Sequence, residues 1–160
     1  MVGASNSPCM SYANPEPGRF GRGSCGSWGR IHSATKVELN DLPRGISLRC
    51  NSVDNIHLGF DRANARSNSY SQPYGNIECK SGAVTLAWHA NMVDKSASPH
   101  GGVDIVTMIN ADRSITFHVG GTLVHTSSQT VPESAFPLEY AIAVYDSSGY
   151  VSEVKWVNSS

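Results

Sequence analysis

The sequence predicts an all-β protein, an antiparallel β-sandwich, from three observations. Short runs of β-branched and aromatic residues alternate with polar ones at a two-residue period, which is the pattern of a half-buried strand. Gly, Pro, Asn, Asp and Ser separate these runs at intervals of roughly eight to twelve residues. An apolar period of about 3.6 residues is sustained nowhere, so no amphipathic helix is expected.

Residues 103–157 state the pattern most plainly. A β-branched run at 103–109 is followed by the turn residues Asn110, Asp112 and Arg113, then by an alternating run at 114–119. Gly120 and Gly121 sit where a two-residue hairpin turn needs positive φ at both positions, and 122–126 starts the return strand. After a Ser/Gln/Pro loop, 138–145 and 150–157 are further strands across a turn at 146–149. This segment reads as an antiparallel meander of about five strands.

Upstream, regular structure begins at Trp28. Residues 28–33 lead to a strand at 35–40, a turn at 41–45, and alternating runs at 45–50 and 55–60. Strands at 74–79 and 83–89 pair across Lys80-Ser81-Gly82. Polar loops are expected at 61–73 and 90–102, and the whole chain holds about ten strands. Residues 1–27 are a different zone, rich in Gly, Ser, Pro and Asn, with too many glycines at 18–26 for a strand interior or a helix. The expected organisation is therefore an arm at 1–27 and a β-sandwich domain at 28–160. The arm either stays flexible or folds against the domain or a neighbouring subunit. Gly21, Gly23 and Gly26 have the spacing of a dinucleotide fingerprint, but no strand is expected before them and no helix after, so the motif fails in context.

With 160 residues the chain is long enough for one domain with a real core. A net charge of −1 argues against a nucleic-acid partner, which needs a basic surface to neutralise phosphates. No apolar run approaches the ~18 residues of a membrane span, so no membrane insertion is expected. The first residues lack the apolar centre of a signal peptide, as in a protein that stays inside its cell or a mature chain. The four cysteines have no C-x-x-C spacing, and no structural zinc is expected. Cys50 and Cys79 fall in neighbouring strand-like runs, bridged or simply packed as small hydrophobes, and packing is the simpler expectation. Cys9 and Cys25 would close a loop in an oxidised chain. Bridged cysteines would favour a secreted or cell-surface location.

Residues 55–61, 74–77, 115–127, 137–145 and 151–156 together resemble concanavalin A-like jelly-roll domains. Such domains repeat an Ile-Gly-Leu-like strand, a hairpin with Asn-Gly-Thr-Leu-Val at its turn, a Pro-Leu-Tyr strand and a closing Val-x-x-Val-x-Trp. Here Gly120-Gly121 replaces Asn-Gly, which keeps the turn and removes a side chain. The resemblance spans residues 28–157 and implies the sandwich. For function it implies a range, from lectins and carbohydrate-binding modules to glycan-processing enzymes and scaffolds.

Glycan-cleaving members of that superfamily resemble one another in a Glu-x-Asp-x-Glu strand, which places two carboxyls about 5 Å apart. In this sequence Glu16, Glu38, Glu78, Glu133, Glu139 and Glu153 are separated, and no strand carries carboxylates at i and i+2. No catalytic residues are expected, although His57, His89, His118 and Tyr145 have side chains that a lyase could use. The Asp-rich loop of calcium-dependent lectins is missing, so neither metal nor cofactor is expected. Sugar-binding chemistry is nevertheless present: planar amide, carboxylate and guanidinium groups for hydroxyls, and aromatic faces for stacking. Asp61, Arg62, Asn64, Tyr70 and Tyr74 concentrate it in one loop, and strand parity puts His57 and His89 on the face opposite the core. Trp88 and Trp156 share the parity of apolar neighbours and are expected in the core. The expected function is a lectin-like module for a glycan or glycoprotein, using a concave face and its loops. The alternative is a structural or adhesion subunit, in which the arm lies on a neighbour in a homo-oligomer.

Overall fold

The computed structural model describes residues 10–11, 20–22, 29–50, 56–64, 74–80, 83–87, 92–97, 102–144 and 150–158. The strands run β1 (Met10–Ser11), β2 (Phe20–Arg22), β3 (Gly29–Val37), β4 (Arg44–Cys50), β5 (Ile56–Arg62), β6 (Tyr74–Lys80) and β7 (Ala83–Ala87). They continue as β8 (Met92–Ala97), β9 (Asp104–Ile109), β10 (Ser114–Val119), β11 (Thr122–Thr130), β12 (Leu138–Val144) and β13 (Tyr150–Asn158). Two antiparallel sheets result: a seven-stranded one in the order β1-β2-β13-β4-β9-β10-β11 and a six-stranded one in the order β3-β12-β5-β6-β7-β8.

Alternation decides what the sheets bury between them. From the six-stranded sheet, Ile56, Leu58, Phe60, Leu138, Tyr140 and Ile142 point inward, and Ile46, Leu48, Ile105, Ile109, Ile115 and Phe117 meet them from the seven-stranded one. All of these are almost wholly removed from water. Phe60 meets Tyr140 edge-on with ring centroids 5.4 Å apart. Trp156 packs against the core as a half-buried side chain, with the Arg44 guanidinium 5.1 Å from its ring centroid.

The Gly120-Gly121 hairpin forms as the sequence predicts, with φ of 58° and 80° and Val119 opposite Thr122. The five-strand meander does not. Only β9, β10 and β11 run consecutively; β12 crosses to the other sheet between β3 and β5, and β13 returns beside β4. Each sheet has one apolar face to cover, and alternating the strands between sheets closes the sandwich. Residues 92–97, expected within a loop, form β8 at the edge of the six-stranded sheet. Residues 20–22 of the glycine-rich stretch also form a strand, pairing with Tyr150 and Val151. An outer strand of three residues tolerates glycines that a long interior strand would not. Cys50 and Cys79 are bonded to each other rather than packed as free thiols, and the bond joins β4 to β6 across the two sheets.

The Tyr140 hydroxyl is the costly atom of this core. It is buried and has no hydrogen-bond partner, and an unmet buried hydroxyl costs about 1–3 kcal/mol. Burial pushes its pKa well above 10.0. The neutral phenol is thus favoured in the folded state, so its contribution is fully present below pH ~10 and is lost as pH rises toward the folded pKa. Tyr140→Phe is expected to raise stability in urea by about 1 kcal/mol at neutral pH. The variant is also expected to lose part of the alkaline fall in stability. A variant less stable than the parent would mean that the hydroxyl is satisfied.

Candidate binding site

The buried His, Asp and Glu side chains of the sandwich collect on the outer face of the six-stranded sheet. On β12, the inward Leu138, Tyr140 and Ile142 leave Glu139, Ala141 and Ala143 pointing away. Their register partners on β5 are Asp61, Gly59 and His57. On β6, Glu78 stands opposite His57, and Asn76 shares its side because Ile77 and Cys79 lie in the core. On β3, His32 and Lys36 stand opposite Ala141 and Glu139. The arrangement is a floor of small residues, Gly59, Ala141 and Ala143, ringed by six polar side chains: His32, His57, Asp61, Asn76, Glu78 and Glu139.

Two imidazole–carboxylate pairs line the ring. His32 Nδ1 lies 2.8 Å from Glu139 Oε1, at ion-pair distance but outside the geometry of a directed hydrogen bond. His57 Nε2 lies 3.6 Å from Glu78 Oε1. Asp61 accepts the backbone N–H of Arg62 at 2.9 Å. Asp61 and Glu139 are directly opposed across β5 and β12, which puts their Cβ atoms about 5 Å apart. Asn76 is fully buried, and neither amide atom has a hydrogen-bond partner. Glu78, with 14% of its side chain exposed, is the most open of the six.

The residues singled out from the sequence do not all converge here. His57 and Asp61 lie on this face and are buried. Tyr74 turns its ring into the core, and its hydroxyl accepts from Arg62 Nη2 at 3.0 Å. Arg62 itself is exposed, as is Asn64 in the turn after β5, where Ala63 N–H bonds to Pro137 O at 2.9 Å. Tyr70 and His89 lie outside the described residues, as do Arg66, Trp28, Trp88, Tyr145, Cys9 and Cys25. Sequence reasoning missed His32, Asn76, Glu78 and Glu139. The available signal was parity: Glu139 sits between two apolar residues of a strand, on the same side as Ala141 and Ala143.

No protein-family model matches the sequence, and no curated protein sequence matches it. Solved structures do. The SPRY domain of human HERC1 superposes with a TM-score of 0.63 at 14% identity, over 94% of this chain and 96% of that one. An alginate lyase from Pseudomonas aeruginosa gives 0.59 at 12% identity, covering 96% of this chain and 87% of that one. The carbohydrate recognition domain of Emp46p, in its metal-free form, gives 0.60 at 8% identity, covering 87% and 82% respectively. The fold is the concanavalin A-like jelly roll. At these identities the likeness shows architecture, while chemistry has to be read from the jelly roll's own side chains. Among the described residues, no three His, Cys, Asp or Glu side chains are placed to hold a metal ion. No helix among them is long and apolar enough to cross a membrane.

Proposed function

We propose that this jelly roll is a non-enzymatic glycan-binding module whose site is the outer face of the six-stranded sheet. The observation that carries the reading is the Asn76 amide, buried with both atoms unpaired. An amide has two donors and an acceptor with two lone pairs, and leaving them unmet in the interior costs about 1–3 kcal/mol. A ligand hydroxyl, donor and acceptor at once, meets that need. The flanking carboxylates and imidazoles offer charge-assisted partners to further hydroxyls. Entry is from the β6 side, where Glu78 is the most open. The shared fold with a carbohydrate recognition domain supports the reading as analogy. The module comprises residues 28–160, with the preceding arm contributing edge strands. The Cys50–Cys79 bridge fits an oxidising compartment, hence a secreted or cell-surface protein.

A structural or adhesion subunit is the second reading. It is favoured by β11, the outermost strand of its sheet among the described residues, on which Leu123 is 53% exposed. A glycan array run alongside a measurement of oligomeric mass separates the two. For the binding module, the expected outcome is a consistent glycan hit, weakened about ten-fold or more in Asn76→Ala with melting temperature held or raised. Undiminished binding by Asn76→Ala removes this face as the site. A blank array from a defined multimer that dissociates on deletion of residues 1–27 establishes the structural subunit instead.

A further inference from the structure

We infer that a second binding site lies at one end of the sandwich, where Arg44 and Arg62 emerge, and that it takes the carboxylates of an acidic glycan. The place of the site stands on its own geometry; the ligand class rests on the glycan-binding reading above. Both arginines occupy core-facing positions at strand ends. Arg44 opens β4 two residues before the inward Ile46, with the buried Ile109 opposite it. Arg62 closes β5 two residues after the inward Phe60, with the buried Leu138 opposite it. The link 38–43 leads from Val37, which also pairs with Leu138, to Arg44, so the two arginines share one end. The sheets face each other there, with the Trp156 and Phe60 rings 6.5 Å apart. Each arginine stem therefore runs out over the rim of the core; Arg62 is exposed and Arg44 half-buried.

Their partners are neutral. Arg44 lies over the Trp156 ring at 5.1 Å and donates from Nη1 to Asn158 Oδ1 at 2.6 Å. Arg62 donates from Nη2 to the Tyr74 hydroxyl at 3.0 Å. Among the described residues no carboxylate stands at ion-pair distance from either guanidinium, whereas Arg49 and Arg113 are both held by carboxylates. The acids at this end are engaged elsewhere. Glu38 and Asp41 each accept a backbone N–H of the other. Asp112 accepts from the Ser114 N–H and hydroxyl, and Glu133 pairs with Arg113. All four are exposed, so water and salt screen them. Asp61 accepts the backbone N–H of Arg62 from the outer face. A guanidinium fixed by neutral partners keeps its charge and most of its five donors for a planar anion, which it binds through two parallel N–H bonds. The facing sheets set the two stems about 10 Å apart, so a chain with recurring carboxylates engages both. The exposed amides of Asn64 and Asn158 beside them suit sugar hydroxyls. Arg62 follows Asp61 directly, so a glycan on the outer face reaches this rim along β5, and a neutral one leaves both guanidiniums unused.

Titration calorimetry on the full chain at about pH 7, where sugar carboxylates are ionised, tests this with two oligosaccharides. They are a galacturonate tetramer and its fully methyl-esterified counterpart, which lacks the charge. The free acid is expected to bind about ten-fold tighter or more, with the preference shrinking as salt is raised. Arg44→Gln and Arg62→Gln, each shown folded by its melting curve, are expected to erase the preference. Arg62→Lys, which keeps the charge and loses the fork, is expected to restore part of it. Asn76→Ala, on the outer face, is expected to weaken acid and ester alike and to keep their ratio. Equal binding of the two tetramers, or binding of neither, overturns the acidic-glycan assignment; a neutral hit on the array then leaves the glycan reading standing, and a blank array removes that too. A preference that survives both glutamine variants overturns the rim as the site, and a lowered melting temperature beside it shows that the arginines only cap the core. Polyglutamate that competes with the free acid at equal affinity would reassign the rim to an acidic protein segment and overturn the glycan class.

Discussion

Breaking the Cys50–Cys79 bridge is expected to remove about 3.5 kcal/mol of stability, a large fraction of the roughly 5–15 kcal/mol that holds a typical domain together. The two cysteines are 29 residues apart in sequence, and their bond ties β4 of one sheet to β6 of the other. In the unfolded chain the bridge forbids the many conformations in which those strands lie far apart. In the folded chain it adds little constraint, because the sheets already pack face to face. Both cysteines are buried to within 1%, so a reductant reaches the sulfurs only after the sandwich opens. Two results are expected. The Cys50→Ala/Cys79→Ala variant, and the wild type unfolded and refolded in reductant, melt about 7–14 °C lower than the oxidised protein. The oxidised protein held in reductant at room temperature keeps its melting point over the time in which an exposed bridge would be lost. A melting temperature indifferent to both treatments would show that the bond contributes nothing to the fold.

The bridge also marks a boundary of what the sequence discloses. The runs at Ile56–Arg62, Tyr74–Lys80, Asp104–Ile109, Ser114–Val119 and Leu138–Val144 were legible because each has one buried face, and a one-residue slip would turn every apolar side chain into water. The strand at Met92–Ala97 was not, because a polar strand at a sheet edge has no such signature. Sheet membership was not legible either. Residues 138–144 and 150–158 alternate in the same way, yet one strand packs beside β5 and the other beside β4. Periodicity reports that a strand has a core face and says nothing of which sheet supplies it. The same ignorance left open whether Cys50 and Cys79 are bridged or packed, since the bond depends on two strands facing each other across the core.

For the site, parity was informative and adjacency was not. Strand parity puts His57 on the outer face, and that is where it lies; Asp61, expected in a loop, belongs to β5 and lies on the same face. No single strand carries carboxylates at i and i+2. Asp61 and Glu139 meet across two strands, so no spacing within one strand reveals them. Concentration of polar residues in a loop pointed to Arg62 and Tyr74, which interact with each other at the rim of the sandwich. Asn76 was hidden for a further reason. It follows Tyr74 by two residues, and strict alternation would place both on the same side. The register shows otherwise: Leu58 pairs with Ile77 and Phe60 with Tyr74, so β6 uses two residues where β5 uses one. This is a β-bulge, and it turns Tyr74 into the core while leaving Asn76 on the outer face.

Gly75→Ala is expected to cost about 3 kcal/mol and to disturb the site as well, because Gly75 makes that bulge possible. Its φ is +60°, a conformation that a residue with a Cβ adopts only under strain. A Cβ there would also lie 2.9 Å from Thr107 Cγ2 and 3.1 Å from Ile115 Cδ1, side chains of the facing sheet in the packed centre of the sandwich. Gly121→Ala separates the two causes. Its φ is +80°, and a Cβ there would meet no atom within 4 Å, so it carries the conformational cost alone, about 1 kcal/mol. Urea denaturation of both variants gives the packing cost as their difference. Equal losses would mean that the sheets yield freely at Thr107 and Ile115. A larger loss for Gly75→Ala, accompanied by weaker glycan binding than in Gly121→Ala, would tie the bulge to the orientation of Asn76: the backbone irregularity that periodicity could not foresee would be what presents the unpaired amide to its ligand.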